Sequence, residues 1–305
     1  MLKTSVTAVV GGAKVVSPTA PYCHEAIHVI VLLLTTTSGL KQKEKLYSKI
    51  FIGVWLGKGS IMVVYLTSHI GGFYKKDGIR IPAQLSTENG LLNNLQKHWK
   101  DNAKVLIICA DADNIEVNDS ILNIFSVSFS ISGLSISQMC ICDKRNEKLV
   151  EEIAGFNVLI LAGGHVPTQN KFFEKIHLKE YIKNFDGILI GISAGSMNCA
   201  EIVYAQPELE GESIDKEYKR FLYGLGITKL MVLPHYQNIK NDILDGKRLF
   251  EDITYADSYG KEFYALEDGS YFIIENNTIT LFGAAYLIKD GMIKQICEKD
   301  KSIII

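Results

Sequence analysis

Short apolar runs alternate with longer amphipathic stretches along the chain from Met62 onward. The runs are rich in β-branched residues and have the length of strands, whereas the stretches between them have the length and polarity of helices. Lys104–Cys109 and Asn157–Leu161 are apolar at nearly every position, as expected of strands covered on both faces. This alternation predicts an α/β fold in which helices cover both faces of a mainly parallel sheet.

The predicted elements follow one another at regular spacing. Strands of the sheet are predicted at Met62–Leu66, Lys104–Cys109, Ser135–Cys140, Asn157–Leu161, Gly187–Ile190 and Lys229–Leu233. Helices between them are predicted at Gly90–Trp99, Val117–Phe125, Arg145–Ala154, Phe172–Lys183 and Gly195–Tyr204. Near the C-terminus, apolar runs separated by turn residues predict antiparallel strands at a sheet edge: Tyr271–Glu275, Thr278–Phe282, Ala285–Ile288 and Met292–Ile296.

Charge and hydropathy argue against two classes of partner. The 305 residues carry a net charge of -2, so the chain has no basic field with which to attract a nucleic acid. Its most apolar stretch, Val29–Leu34, is far shorter than the roughly 20 residues that a membrane-spanning helix needs. We therefore expect neither a nucleic acid nor a membrane as a partner.

The cysteines indicate a reducing environment. Six cysteines in a chain of this length do not make a disulfide scaffold. Cys109, Cys140 and Cys142 lie in or beside apolar runs, which is typical of reduced core thiols in a cytoplasmic protein. Cys140 and Cys142 can share one strand face, but two sulfurs without further ligands make a poor metal site. We expect no metal and no cofactor.

Residues 1–61 do not join the strand–helix pattern, so the chain divides into an N-terminal extension and a domain over residues 62–305. One hypothesis is that translation starts at Met62 and that the extension is not translated. Lys58 and Gly59 can be encoded by AAAGGA, a purine-rich ribosome-binding sequence, and only Ser60 and Ile61 separate them from Met62.

The segment Gly191-Ile192-Ser193-Ala194-Gly195 follows a predicted strand and opens a predicted helix. In that context G-x-S-x-G forms a sharp turn that lifts the serine side chain above the C-terminal edge of the sheet. The small flanking residues let the helix pack closely and let a substrate approach. Ser193 is therefore the predicted nucleophile.

A serine nucleophile needs a base, and the base needs an acid to orient it. His235 follows the predicted strand Lys229–Leu233, so we expect it at the same sheet edge as Ser193 and interpret it as the base. Two residues are candidates for the acid. Asp268 follows an apolar run near the C-terminus, whereas Glu208 lies in the acidic loop after the nucleophile helix.

An oxyanion hole needs two inward-facing N–H groups. The first is predicted at Ala194, directly after the nucleophile. The second is predicted at Gly164, in the Gly163-Gly164 pair that follows the predicted strand Asn157–Leu161.

The chain resembles the peptidase E (aspartyl dipeptidase) family of serine peptidases and its relative cyanophycinase. The resemblance covers roughly Met62 to the C-terminus and is carried by LAGGHVPTQN at 161–170, GISAGSMNCAE at 191–201, LPHYQ at 233–237 and ALEDG at 265–269. It implies a class I glutamine amidotransferase-like, flavodoxin-like fold, a three-layer sandwich with a mainly parallel central sheet. It also implies hydrolysis of short peptides through an acyl-enzyme, as a dipeptidase or exopeptidase.

The resemblance implies the same roles that the sequence pattern predicts. Ser193 would be the nucleophile, His235 the base, and the amides of Gly164 and Ala194 the oxyanion hole. The family's third member is a Glu that falls on Asp268, and the family also has an acid near the position of Glu208, so both acids remain candidates. His165 stands where relatives have Asn or Asp after the Gly pair, which implies contact with the substrate. Relatives prefer an acidic residue on the acyl side, for which Lys247 and Arg248 are candidate cations.

Two other functions are compatible with the sequence. His24-Glu25-Ala26-Ile27-His28 matches the H-E-x-x-H pattern, which places two zinc ligands on one face when it forms a helix. Pro18 and Pro21 precede it and a strand-like run follows, so this zinc hydrolase is the weaker hypothesis. The third hypothesis is a binding module that keeps the amidotransferase-like fold without catalysis.

Overall fold

A computed structural model describes residues 62–305, so the N-terminal extension, its His24/His28 pattern and the hypothesis about Met62 as a start lie outside the described residues. The strands, in chain order, are β1 (Val63–Thr67), β2 (Gly71–Lys76), β3 (Ile79–Leu85), β4 (Ala103–Ile108), β5 (Ile136–Cys142), β6 (Val158–Leu161), β7 (Ile188–Ile192), β8 (Ile202–Tyr204), β9 (Phe221–Tyr223), β10 (Met231–Leu233), β11 (Ile243–Leu244), β12 (Lys247–Arg248), β13 (Glu262–Leu266), β14 (Tyr271–Glu275), β15 (Thr278–Phe282), β16 (Ala285–Lys289), β17 (Met292–Cys297) and β18 (Ser302–Ile304).

Seven α-helices lie between the strands of the described residues, and most of them are short. The α-helices are α1 (Leu91–His98), α2 (Ile115–Ile131), α3 (Val166–Lys175), α4 (Leu178–Ile182), α5 (Ala194–Asn198), α6 (Tyr236–Ile239) and α7 (Tyr255–Asp257). Two segments are 3-10 helical, Glu88–Gly90 and Glu147–Gly155, and Leu249–Thr254 is π-helical. Within residues 62–305, no helix has both the length and the apolar composition to cross a membrane.

The central sheet has the strand order β18-β15-β14-β1-β7-β6-β4-β5. Strands β1, β7, β6, β4 and β5 run parallel to one another, whereas β14, which pairs with β1, and β15 and β18 add an antiparallel edge. Every residue of β6 and β7 is buried, because helices and loops cover both faces of the sheet there. The predicted α/β fold, with a mainly parallel sheet and antiparallel C-terminal strands, is confirmed.

A second, four-stranded sheet has the order β10-β13-β16-β17. The prediction that Lys229–Leu233 joins the parallel sheet is wrong: its core forms β10, which pairs in parallel with β13. Part of the C-terminal antiparallel region, β16 and β17, also belongs to this sheet. The reason is a separate hydrophobic core, in which Leu233 and Phe263 pack with Phe250 and Met197.

Helix α5 lies between the central sheet and this second core. It packs against β7, β6 and β1 on one side, while Ala194 and Met197 join the second core on the other. The predicted helix Gly195–Tyr204 is wrong after Asn198, because the chain turns there into β8 and pairs with β9. Tyr204, the buried last residue of β8, stacks on Phe263, with ring centroids 4.2 Å apart.

Other predicted helices have different bounds or type. Arg145–Ala154 is 3-10 rather than α-helical over most of its length. Phe172–Lys183 is split into α3 and α4 by His177, which has a φ of 53°. The hairpin of β2 and β3 was not predicted at all, because its strands carry mixed polar and apolar residues and three of its residues are lysine or arginine.

Gly195 is required for the close packing of α5, and its replacement provides a test. A Cβ at Gly195 would collide with the carbonyl oxygen of Leu161, a backbone atom that cannot move aside. We expect Gly195→Ala to lower the free energy of unfolding by about 1–3 kcal/mol, the usual cost of overpacking. Urea unfolding followed by circular dichroism measures the change.

Gly155→Ala is the matched control. A Cβ at Gly155 meets no atom within 4 Å, so this variant should change the free energy of unfolding by less than about 0.5 kcal/mol. Equal losses in the two variants would show that the contact with Leu161 does not limit the packing.

Candidate active site

The turn between β7 and α5 holds Ser193 in an unusual backbone conformation. Ser193 has a φ of 50° and a ψ of -112°, a region that non-glycine residues rarely occupy and that costs about 1–3 kcal/mol. The amide of Ser193 donates to the carbonyl of Thr67 at 3.0 Å, and the Ser196 hydroxyl donates to the same carbonyl at 2.9 Å. Hydrogen bonds from the end of β1 therefore hold the turn in place.

The two glycines of the turn have different contacts. A Cβ at Gly191 would lie 2.8 Å from the backbone nitrogen of Ser196, inside the first turn of α5. A Cβ at Gly195 would meet the Leu161 carbonyl at the end of β6. Both positions therefore need glycine for α5 to pack this closely against the sheet. This requirement explains the two glycines of the G-x-S-x-G pattern.

His235 reaches the site from the second sheet. It follows β10 and Pro234 and has a φ of 60° and a ψ of 25°. Because β10 and β13 are parallel, with Leu233 opposite Ala265, the segments that follow them emerge at the same edge. This pairing brings His235 and Asp268 together, and it was not predicted from the sequence.

Three side chains form a continuous hydrogen-bonded row. His235 Nε2 lies 3.0 Å from Ser193 Oγ, and His235 Nδ1 lies 2.6 Å from Asp268 Oδ1. Both distances are within hydrogen-bonding range, and the shorter one is typical of a bond to an ionised carboxylate. The carboxyl group of Asp268, although one methylene shorter than that of a glutamate, therefore reaches the imidazole.

The Asp268 carboxylate is held by further donors. Its Oδ1 accepts from the Ser68 hydroxyl at 2.8 Å, and its Oδ2 accepts from the Asn238 side-chain amide at 2.9 Å. Ser68 Oγ in turn accepts from the His235 amide at 2.8 Å. Burial opposes ionisation of this carboxyl, but hydrogen bonds from His235 and Ser68 and the nearby histidine charge lower the pKa of Asp268 to about 2.

Glu208 does not contact the Nδ1 side of His235. It lines the cavities beside Ser193 and His235, and its backbone amide donates to Glu212 Oε2 at 2.9 Å. Glu208 is an exposed residue, but desolvation of its carboxyl beside the site raises its pKa above the ordinary value, although the charge of His165 opposes this shift. Of the two candidate acids, Asp268 is therefore the one that lies against Nδ1 of the His235 ring.

The two predicted oxyanion-hole residues lie on either side of the serine. Ala194 is the first residue of α5, where an amide has no acceptor within the helix. The Gly163-Gly164 loop touches the turn: a Cβ at Gly163 would lie 3.4 Å from Ser193 Cβ, and one at Gly164 would lie 2.5 Å from Ala110 Cβ. The loop therefore lies against the serine turn at Gly163, and a side chain at Gly164 would collide with Ala110.

Two cavities open on the Ser193–His235 pair. The first, of about 350 Å³, is lined by apolar side chains that include Phe73 and Phe125. The second, of about 240 Å³, is lined mainly by Met197 and aliphatic residues of the second core. A group bound in either cavity would lie beside the serine hydroxyl.

The wall of the first cavity contains polar residues that were not predicted. His69 Nδ1 accepts from the Gly71 amide at 3.0 Å, so its neutral ring carries the proton on Nε2, and burial lowers the pKa of His69. Arg80 lies on β3 with its guanidinium 5.3 Å from the ring centroid of Phe73, and both residues line the cavity. Sequence reasoning missed them because the hairpin of β2 and β3 was not recognised.

His165 and the candidate cations lie elsewhere. His165 Nδ1 bonds to Thr168 Oγ1 at 2.8 Å and its Nε2 bonds to Glu212 Oε1 at 2.9 Å, and the residue lines neither cavity. Lys247 Nζ donates to the Ser213 carbonyl, and Arg248 forms an ion pair with Asp252. The expectation that Lys247 or Arg248 supplies the cation of the pocket is therefore wrong, and the cation that lines the first cavity is Arg80.

Residues 62–305 contain no group of three or more His, Cys, Asp or Glu side chains arranged to hold a metal ion. The zinc hypothesis concerns His24 and His28, which lie outside that range.

The low pKa of Asp268 predicts how stability depends on pH. A carboxyl whose pKa is lowered on folding contributes stability that is present above its ordinary pKa, 3.8, and is lost as the pH falls through about 2. Asp268→Asn should therefore be less stable than the wild type near neutral pH, and the difference should shrink as the pH is lowered across this window. Urea unfolding at a series of pH values measures it.

Asp77→Asn is the control for this measurement. Asp77 is exposed at the tip of the β2–β3 hairpin with a φ of 51°, a conformation that asparagine tolerates. The free energy of unfolding of this variant should stay close to that of the wild type at every pH. A difference for Asp268→Asn that remains constant down to pH 2 would contradict the assigned pKa.

Comparisons with known proteins identify a family and a solved structure of similar fold. The model of Peptidase family S51 matches residues 83–282. A solved peptidase from an acI-B1 Actinobacterium is similar in fold, with a TM-score of 0.56 at 16% identity over 80% of this chain and 97% of that one. A putative peptidase E protein from Listeria monocytogenes EGD-e aligns with a TM-score of 0.47 at 13% identity over 78% of this chain and 100% of that one. No curated protein matches the sequence.

The family match spans more than half of the chain and includes the Gly163-Gly164 loop, the serine turn, His235 and Asp268. The solved peptidase independently shows the same fold. The resemblance to peptidase E is thereby confirmed, and an enzyme is favoured over a binding module. The chain belongs to Peptidase family S51 and is a serine-type peptidase.

Proposed function

We propose that this peptidase hydrolyses short peptides through an acyl-enzyme formed on Ser193. The observation that carries the proposal is the hydrogen-bonded row from Ser193 Oγ to His235 Nε2, at 3.0 Å, and from His235 Nδ1 to Asp268 Oδ1, at 2.6 Å. Nucleophile, base and orienting acid in this relation are the arrangement that activates a serine hydroxyl.

The first half of the reaction breaks the peptide bond. Ser193 Oγ attacks the carbonyl carbon while its proton passes to His235 Nε2. Asp268 keeps the proton on Nδ1 and stabilises the imidazolium that forms. The amides of Gly164 and Ala194 donate to the negatively charged oxygen, and the imidazolium then protonates the leaving amine.

The second half releases the acyl group. A water molecule takes the place of the departed amine and gives a proton to His235 Nε2 as it attacks the ester. The tetrahedral oxygen again lies on the two amides, and the return of the proton to Ser193 Oγ completes the cycle. Because every step uses groups of this chain, the proposal requires no cofactor.

The size of the site supports a short substrate. Of the two cavities beside Ser193, the one of about 350 Å³ lies at the lower end of the roughly 300–1,000 Å³ that small-molecule sites occupy, and the one of about 240 Å³ lies below that range. Such space suits one or two residues on each side of the scissile bond, as in a dipeptidase or another exopeptidase. We propose a small peptide as the substrate for this reason.

The cysteines support a cytoplasmic location. Cys109, Cys140, Cys142, Cys199 and Cys297 are all free thiols in the described part of the chain. A reducing compartment keeps such thiols unpaired.

Covalent labelling tests the nucleophile. A fluorophosphonate probe should label the wild type and should fail to label Ser193→Ala, because the probe reacts with an activated serine hydroxyl. The same two proteins are then assayed on a dipeptide library, in which only the wild type should release amino acids. Ser126→Ala, at an exposed serine on α2, is the control and should react like the wild type. Absence of labelling in well-folded wild type would refute the acyl-enzyme.

A pair of isosteric variants tests the acid. Asp268→Asn should lower kcat by about 10³- to 10⁴-fold, because an amide cannot stabilise the imidazolium or hold the required tautomer. Glu208→Gln should lower kcat far less, since the carboxylate of Glu208 makes no hydrogen bond to His235 among the described residues. Steady-state kinetics on the best library substrate measures both, and the reverse order would assign the acid to Glu208.

A further inference from the structure

The glycine loop, residues 162–165 between β6 and α3, carries the amide of Gly164 that the proposed reaction uses. Among residues 62–305, this amide donates a hydrogen bond to no acceptor, so it is available to a substrate oxygen. A donor of this kind is effective only when it is already in place, because an amide that must move to meet the developing charge stabilises it less. The contacts that hold the glycine loop therefore bear on the rate of the reaction.

Two buried amide side chains with no role in the proposed reaction contact this part of the chain. Gln169 lies on α3 and Asn198 is the last residue of α5, and both are fully buried. The other buried residues of α3 are apolar: Val166, Phe172 and Phe173. A primary amide buried in such surroundings costs free energy unless its donors and its acceptor are paired, so its hydrogen bonds indicate what it does.

The two amides bond to the backbone on both sides of the glycines. Gln169 Nε2 donates to the Ala162 carbonyl at 2.6 Å, and Asn198 Nδ2 donates to the Val166 carbonyl at 3.3 Å. Asn198 Nδ2 also donates to Gln169 Oε1 at 3.1 Å, so the two anchors are joined. The Ala162 carbonyl belongs to the peptide unit directly before the one that contains the Gly164 amide. Its direction therefore limits where that amide can point.

The outer end of this network is also fixed. Asn198 Oδ1 accepts from Asn170 Nδ2 at 2.9 Å, and the same nitrogen donates to the Tyr223 carbonyl at 3.0 Å. Every polar atom of the Gln169 and Asn198 side chains thus has a partner, and a buried network that is fully paired is rigid and specifies one arrangement. Because Asn198 and the serine turn are the two ends of α5, the network joins the glycine loop to the helix that Ser193 begins.

We propose that Gln169 and Asn198 are positioning residues of the oxyanion hole, which hold the Gly164 amide where it and Ser193 can act on one carbonyl group. The inference rests on the proposed function, in which the Gly164 amide is an oxyanion donor. Neither residue lines the two cavities beside Ser193, so neither touches a substrate bound there. Their effect on the reaction is exerted through the glycine loop alone.

Kinetics of Gln169→Met test the inference. Methionine has nearly the length and volume of glutamine but cannot donate to the Ala162 carbonyl. The variant should lower kcat on the best library substrate by about 10- to 100-fold, the cost of a displaced oxyanion donor. KM should change by less than about twofold, because the donor acts on the charge of the transition state and not on the bound substrate.

Two inhibitors separate positioning from binding. In an aldehyde and an alcohol analogue of the best substrate, –CHO or –CH2OH takes the place of the scissile carbonyl group. Ser193 Oγ adds to the aldehyde carbon, its proton passes to His235 Nε2, and the aldehyde oxygen becomes the oxyanion. The alcohol forms no oxyanion. Gln169→Met should therefore weaken inhibition by the aldehyde about 10- to 100-fold and leave inhibition by the alcohol nearly unchanged.

Gln138→Met is the matched control, and Asn198→Ser is a milder second variant. Gln138 is exposed on β5 and lines neither cavity beside Ser193, so the same substitution there should keep the wild-type kinetics and inhibition. Asn198→Ser shortens the side chain but leaves the bond from Gln169 to the Ala162 carbonyl in place. It should change kcat and aldehyde inhibition in the same direction as Gln169→Met, by a smaller factor, and it provides the test if Gln169→Met does not fold.

Hydrogen exchange of the glycine loop separates this inference from the proposed function, because it needs no reactive serine. In the Ser193→Ala protein, adding Gln169→Met should speed exchange of the amides of residues 162–165 by about 10-fold or more, while β4 and β7 keep their rates. Faster exchange throughout the central sheet would show a general loss of stability and overturn the positioning role.

The remaining outcomes are distinct. Faster exchange confined to the glycine loop, in a protein whose wild type is not labelled by the fluorophosphonate, would support the anchoring of the loop and refute the acyl-enzyme. A labelled wild type together with unchanged kcat and aldehyde inhibition in Gln169→Met would support the acyl-enzyme and overturn the inference. Equal losses of aldehyde and alcohol inhibition would also overturn it, because they would show a changed substrate pocket.

Discussion

The positive φ of Ser193 is the constraint on which the arrangement of the site depends. A serine in this conformation is strained, and the strain is tolerated because the turn is fixed from three directions. The end of β1 holds it through Thr67, the end of β6 approaches it through Leu161, and Gly191 admits the backbone of α5. The hydroxyl is consequently presented at the edge of the central sheet with little freedom to move.

The remaining groups reach this hydroxyl from a different sheet. His235 and Asp268 follow β10 and β13, which belong to the second core, whereas Ser193 and the glycine loop follow strands of the first. Ser68 connects the two, since it directly follows β1 and contacts both the His235 amide and the Asp268 carboxylate. The relative position of base and nucleophile therefore depends on how the two cores pack around α5.

Much of this arrangement can be predicted from the sequence, and the exceptions have physical reasons. The central strands are predictable because burial on both faces makes them uniformly apolar, as in β6 and β7. The serine turn is predictable because its glycines meet backbone atoms. The membership of β10 in a second sheet cannot be predicted in this way, because the sequence of a three-residue strand does not indicate which strand it pairs with.

The choice between the two candidate acids could not be predicted from the sequence either. Asp268 and Glu208 both follow apolar segments and both lie beside the site, so spacing alone does not separate them. Only the parallel pairing of β10 with β13 determines which carboxylate meets Nδ1. The wall formed by His69, Phe73 and Arg80 was missed for a related reason, since a mixed-polarity hairpin has neither helical nor strand periodicity.

The position of that hairpin has a consequence for how such an enzyme can diversify. The family match begins at residue 83, within β3, whereas His69, Phe73 and Arg80 all precede it. Part of the wall of the first cavity thus comes from a stretch of the chain that precedes Ser193, His235 and Asp268, whereas Phe125 and other lining residues lie within the matched range. Exchange of this short hairpin would therefore remodel one side of the first cavity without replacing Ser193, His235 or Asp268.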